Sequence, residues 1–172
     1  AAAAVIRSRP DVTGAVAARK PHLAWHAHRR YAGIPRTALP ALPDTLRARG
    51  VGFLFYSIIE AEMIPEYFAL TTIDGIPPGL KPVYIREDIP FGILFEVLPT
   101  NRPEPATPET VSRFDHLGQV LTGYGVRARM NDRLMTDQYH RAVFLMSNKN
   151  YAEALPLLEQ TVQLARDFPE AN

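Results

Sequence analysis

The amino-acid sequence predicts a small α/β domain of β-α-β-α-β-β order, built as a two-layer or three-layer sheet domain, followed by an α-helical hairpin. Three observations carry that prediction. Val51–Ser57 is an almost continuous apolar run, the pattern of a strand covered on both faces. It follows a helix-forming stretch that Gly50 ends, as in a β-α-β unit with parallel strands. Beyond residue 108 the apolar residues recur at helical spacing instead. The expected division is 1–98 for the α/β domain, 99–108 for a proline-rich linker and 109–172 for the helices.

Taken in order, Val12–Ala18 combines small and β-branched residues and reads as a short strand ending near Arg19, because Pro21 prevents continuation of a central strand. Residues 40–49 form a short helix, with Asp44 as the expected cap and Gly50 as the stop. Val51–Ser57 is then the centre of the sheet. Ile59–Leu70 reads as a second helix, apolar at Met63, Tyr67, Phe68 and Leu70 and broken at Pro65. Lys81–Arg86 and Phe91–Leu98 are two β-rich runs joined by Glu87–Pro90, so they pair antiparallel as a hairpin. The expected core is led by Val51, Phe53, Phe55, Val83, Ile85, Ile93, Phe95 and Val97.

Pro99–Pro108 carries four prolines among polar residues and is a semi-extended connector. After it, Val111, Phe114, Leu117 and Leu121 line one side of a helix that Gly123 and Gly125 break. Further helices are expected over 131–147 and 151–168.

Composition narrows the functions. A chain of 172 residues that is 47% apolar can bury a core. A formal charge of +1 creates no long-range field that would draw it to nucleic acid, so no nucleic-acid partner is expected. The absence of cysteine excludes disulfides, thiolate metal sites and thiol nucleophiles. No apolar run reaches the roughly 18 residues of a membrane span. Ala1–Ala4 follows no methionine and lacks the basic and apolar regions of a signal peptide, and 172 falls where a repeat array would continue, so a longer gene product is expected.

Residues 139–171 resemble a tetratricopeptide (TPR) repeat: Ala142 at the close-packing position of the first helix, then Asn150-Tyr151-Ala152-Glu153-Ala154-Leu155, Leu158 and a closing Pro169-Glu170-Ala171. The resemblance implies a protein-binding helical hairpin, although Pro156 should remove one backbone hydrogen bond from it. Residues 16–98 carry Ala17-Ala18-Arg19-Lys20-Pro21-His22-Leu23-Ala24-Trp25-His26-Ala27, Leu42-Pro43-Asp44 and Arg49-Gly50-Val51-Gly52-Phe53-Leu54-Phe55. This resembles the soluble C-terminal domain of bacterial membrane glycosyltransferases of the dolichyl-phosphate-mannose protein mannosyltransferase type. The acidic catalytic residues and lipid-linked sugar sites of that family lie in its membrane half, which has no counterpart here. The likeness therefore implies a periplasmic or extracytoplasmic location more than catalysis.

Several side-chain groups offer chemistry. His22, His26 and His28 have a spacing that a metal could use, but their neighbours are Arg29, Arg30 and Tyr31 rather than a carboxylate, so a surface histidine cluster is the preferred reading. Arg19, Lys20, Arg29 and Arg30 could grip phosphate or carboxylate groups, or form a solvated basic face. Glu60, Glu62 and Glu66 follow the central strand, where α/β folds place their sites. No nucleophile, phosphate-binding glycine loop or cofactor fingerprint accompanies them, so neither catalytic residues nor a cofactor are expected. Trp25, Arg29, Arg30, Tyr31, Tyr139 and Phe168 are the expected protein-docking residues. The leading expectation is a non-catalytic scaffold or accessory subunit that binds protein partners, including a membrane complex. The alternative is the soluble domain of a membrane glycosyltransferase, with the TPR-like hairpin assisting acceptor binding.

Overall fold

The computed structural model describes residues 1–87 and 90–167, with the side chains of 127, 128 and 164–167 outside that description. It forms two compact units, Ala1–Val120 and Leu121–Asn172. The first is a mixed α/β domain around a five-stranded sheet of order β2-β1-β3-β5-β4. Its strands are β1 (Ala15–Ala17), β2 (Tyr31–Ala32), β3 (Val51–Ser57), β4 (Leu80–Arg86) and β5 (Gly92–Val97). As the unbroken apolar run predicts, β3 lies in the middle, parallel to β1 on one side and antiparallel to β5 on the other.

The parallel half arises from two crossovers that run in opposite directions along the sheet. From β1 the chain passes through α2 (His22–His26) to β2, then through α3 (Leu42–Ala48) back to β3 on the far side of β1. Right-handed connections place two such helices on opposite faces of the sheet. On one face Val16, Phe53 and Leu94 pack with Ala24 and Ala27 around α2 and with Ile6 of α1 (Ala2–Arg7). Strand alternation sends Leu54 and Tyr56 to the other face. There α3, whose Leu42 and Leu46 are fully buried, packs on β3 and β5. The domain is accordingly three layers thick.

Close backbone approach fixes the meeting of β1 and β3. Gly14 adopts a positive φ of 110°, and a Cβ there would lie 2.7 Å from the Gly50 oxygen and the Gly52 nitrogen. A Cβ at Gly52 would in turn collide with the Thr13 carbonyl oxygen. Farther along, Phe55 closes over Gly92 on the neighbouring strand, with one ring carbon 2.8 Å from where a Cβ would stand. Of the expected core, Phe53, Ile93 and Phe95 are fully buried, Val51, Ile85 and Val97 nearly so, and Phe55 and Val83 half-buried at its margin.

Three local expectations need correction. Asp44 does not cap α3: Ala41 holds the cap position without a side-chain bond, Pro43 occupies the first turn, and Asp44 inside that turn pairs with Arg47. The helix after β3 does break at Pro65 as expected, but only α4 (Ile58–Met63), capped by Ser57, is α-helical, and Pro65 begins a 3-10 segment through Thr71. Val111, in the first turn of α5 (Pro108–Gly123), is exposed, whereas Phe114, Leu117 and Leu121 are buried. Arg113 of α5 fastens the helix to the sheet, with Nε 2.6 Å from Glu87 Oε1 and a second nitrogen on the Ile85 carbonyl.

Residues 99–107 carry no regular secondary structure, and the boundary between the two compact units falls within α5. In the second unit, α6 (Val126–Ser147) begins earlier than expected, because Gly125 turns the chain at φ 62° directly after α5. α6 and α7 (Tyr151–Asp167) form a hairpin whose approach is made at small residues: Ala142 and Ala154 are buried. Pro156 sits inside α7, exposed, where it supplies no N–H to the helix.

Two substitutions probe these features in opposite directions. Gly52→Ala should lower the stability of the first unit by about 1–3 kcal/mol, since the obstacle is backbone that cannot swing aside. Pro156→Ala should raise that of the hairpin by up to about 3 kcal/mol. Urea unfolding followed by circular dichroism checks both, and a neutral Gly52→Ala would contradict the tight β1/β3 contact.

Candidate functional site

A cavity of about 180 Å³ opens at the carboxyl ends of the three parallel strands. Each strand contributes through the residues at or just after its end. Ala18 and Arg19 follow β1, Gly33, Ile34 and Arg36 follow β2, and Glu60, Met63 and Ile64 belong to the α4 segment after β3. Tyr31 of β2 completes the wall, and its hydroxyl donates to the Arg19 carbonyl at 3.1 Å.

The loop bearing Ile34 and Arg36 is held from beneath. Tyr67, fully buried in the 3-10 segment, donates its hydroxyl proton toward the Pro35 carbonyl at 2.8 Å, with the Thr37 carbonyl at 3.0 Å, and accepts from the Thr37 N–H at 3.1 Å. Burial raises the Tyr67 phenol above its ordinary pKa, so the neutral, proton-donating form persists. Glu60 is fixed by the capping box of α4, its Oε2 accepting from the Ser57 N–H at 3.0 Å and from the Ser57 hydroxyl. Glu60 as a whole is 5% exposed.

The sequence candidates fall unevenly around this cavity. Arg19, Tyr31 and Glu60 line it together. Glu62 and Glu66 are exposed and do not line it, so the three carboxylates do not form one site. Among the described residues no three of His, Cys, Asp and Glu are grouped to hold a metal, and this includes His22, His26 and His28. His28 instead takes φ 55° in the turn after α2. Trp25 stands on α2 with 78% of its surface exposed, while Arg29 turns inward to the Arg9 carbonyl at 3.3 Å. Arg30 is exposed on the approach to β2, and its carbonyl accepts from Val16 N–H at 2.8 Å. Phe168 lies outside the described residues. Arg36 and Ile34 went unrecognised in the sequence, because the strand that aims them is two residues long and carries no readable alternation.

The second unit offers a surface of another kind. Tyr139, Val143 and Phe144 on α6 and Tyr151, Leu155 and Val162 on α7 are exposed, with Phe144 67% and Tyr151 63% accessible. Among the described residues no helix is long and apolar enough to cross a membrane. Comparison with family models, curated proteins and solved structures finds no match to this chain.

Elsewhere in the first unit, Tyr56 presents a different chemistry. It is fully buried, its hydroxyl has no hydrogen-bond partner among the described residues, and its ring lies 6.3 Å from that of Phe91. Burial, reinforced by the negative charges of Glu60 and Glu66, raises the phenol far above its ordinary pKa. A buried hydroxyl without a partner costs about 1–3 kcal/mol, so Tyr56→Phe should stabilise the protein by about 1 kcal/mol at neutral pH. Because the folded pKa exceeds the unfolded one, the unfolded chain alone releases this proton above about pH 10. Wild-type stability should therefore fall relative to Tyr56→Phe by a further ~1.4 kcal/mol by pH 11. Urea melts of both proteins at pH 7, 9 and 11 check the sign.

Proposed function

We propose that the chain is a non-catalytic interaction protein, an accessory or scaffold subunit that holds a protein partner belonging to a larger, membrane-associated assembly. The carrying observation is the uncovered apolar surface of the helical hairpin. Tyr139 and Val143 are one helical turn apart, with Phe144 adjacent, and Tyr151 and Leu155 repeat the one-turn spacing on α7. Isolated apolar residues are ordinary on a surface, but aromatic residues repeated along two paired helices are the composition of a protein interface.

The TPR-like reading of this hairpin fits the same surface. In arrays of that type each hairpin buries its flank against the next, and about three units are needed for independent stability. On the α6/α7 hairpin the corresponding apolar residues are exposed, as a surface awaiting a partner would be. Placement on the extracytoplasmic side of a bacterial membrane rests on the resemblance of residues 16–98 to the soluble domain of membrane glycosyltransferases. A protein-holding role also accommodates the cysteine-free composition.

The test is purification from the native source under mild detergent, wild type beside a Phe144→Ser, Leu155→Ser double variant. A stoichiometric complex is expected for the wild type. Recovery of the partner should drop at least tenfold for the variant, as removal of two buried apolar anchors implies, with helical circular dichroism unchanged. A chain that purifies alone, or a complex indifferent to both substitutions, overturns the proposal. Sugar transfer from a lipid carrier by the purified chain would establish the glycosyltransferase alternative.

A further inference from the structure

We infer that the cavity at the carboxyl ends of β1, β2 and β3 is a binding site for a small molecule bearing both an oxyanion and a hydrogen-bond donor. Its position is the first reason. The chain leaves β1 toward β2 on one side and returns to β3 on the other, so the cavity sits where the strand order reverses. At such a point the two flanking connections diverge to opposite faces and leave a crevice, which is where open α/β sheets bind ligands.

The lining supplies the chemistry. The lining residues include two arginines, Arg19 and Arg36, against one carboxylate residue, Glu60, a positive excess in formal charge. Among the described residues neither arginine side chain is in an ion pair. Guanidinium groups bind carboxylate and phosphate oxygens through paired, charge-assisted hydrogen bonds. Tyr31, Ile34 and Met63 provide apolar wall for a short carbon skeleton.

Glu60 is the second, independent pointer. It is a lining residue of the cavity with only 5% of its surface exposed, and both of its bonds to Ser57 fall on Oε2. Oε1 makes no hydrogen bond among the described residues, yet it is not among the sealed, unpartnered buried atoms. An unpartnered acceptor on a carboxylate that a capping box holds, in a residue lining a cavity, calls for a donor such as an ammonium or hydroxyl group. The volume of about 180 Å³ lies below the roughly 300–1,000 Å³ of drug-sized sites, which suits a ligand with a few carbons between its two ends.

Phosphoethanolamine and β-alanine carry an ammonium two carbons from a phosphate or a carboxylate, and inorganic phosphate lacks the ammonium. Calorimetric titration of the full chain at low salt with all three is the test. At least one amino compound should bind saturably and at least tenfold more tightly than inorganic phosphate, and which one binds assigns the oxyanion. Arg36→Gln changes an exposed side chain and should weaken that binding at least tenfold. Glu60→Gln keeps an N3 residue able to complete the capping box and should abolish the preference over inorganic phosphate. Circular dichroism melts establish that both variants fold. Absence of saturable binding by every probe overturns the inference, as does an affinity that neither substitution changes in a folded protein.

Discussion

The first unit depends on a place where side chains are excluded. Gly14 and Gly52 bring two segments of backbone into contact, and that contact sets where β1 runs beside β3. The pairing shifts register between Ala15 and Val16, immediately after Gly14. A side chain at either glycine would push the strands apart at their beginnings, and the displacement would be carried along both to their carboxyl ends. Arg19 and Glu60 stand at those ends. A constraint at one end of these strands thus governs the separation of charged groups at the other.

A second contact works with it. β2 is only two residues long and cannot by itself orient the loop that follows. The Tyr67 hydroxyl does so by holding the Pro35–Thr37 backbone from a different element. The cavity wall is therefore assembled from one strand junction and one buried phenol, neither of which touches its interior. Such supporting contacts are what keep a binding geometry defined when its walls are loops.

What could be read from the sequence divides along physical lines. β3 and the β4/β5 hairpin were legible because they are long, apolar and bounded by glycine or proline, and because β4 and β5 are neighbours both in sequence and in space. α1 and α2 were not, since each is about one to two turns long, too short to show a helical period; Ile6, Ala24 and Ala27 become core only once the sheet exists to receive them. Asp44 misled because a good capping residue inside a first turn is indistinguishable from a cap without knowing that Pro43 already lies within the helix. Glu60 was legible as a residue following the central strand, but its separation from Glu62 and Glu66 required the helix to be folded. Arg36 left no sequence signal, as its place depends on a two-residue strand and on Tyr67 far along the chain.

The edges of the sheet have a consequence for self-association. On one side the outermost strand is β2, too short to template a neighbour. On the other, β4 contains Pro82, which has no N–H to offer, a register irregularity beside it, and Lys81, whose Nζ lies 2.5 Å from Glu104 Oε2. Brevity, proline and lysine are the devices by which natural sheets resist edge-to-edge polymerisation. Fibrillar growth through strand addition is thereby disfavoured in the folded protein, even while aromatic side chains remain accessible on its helices.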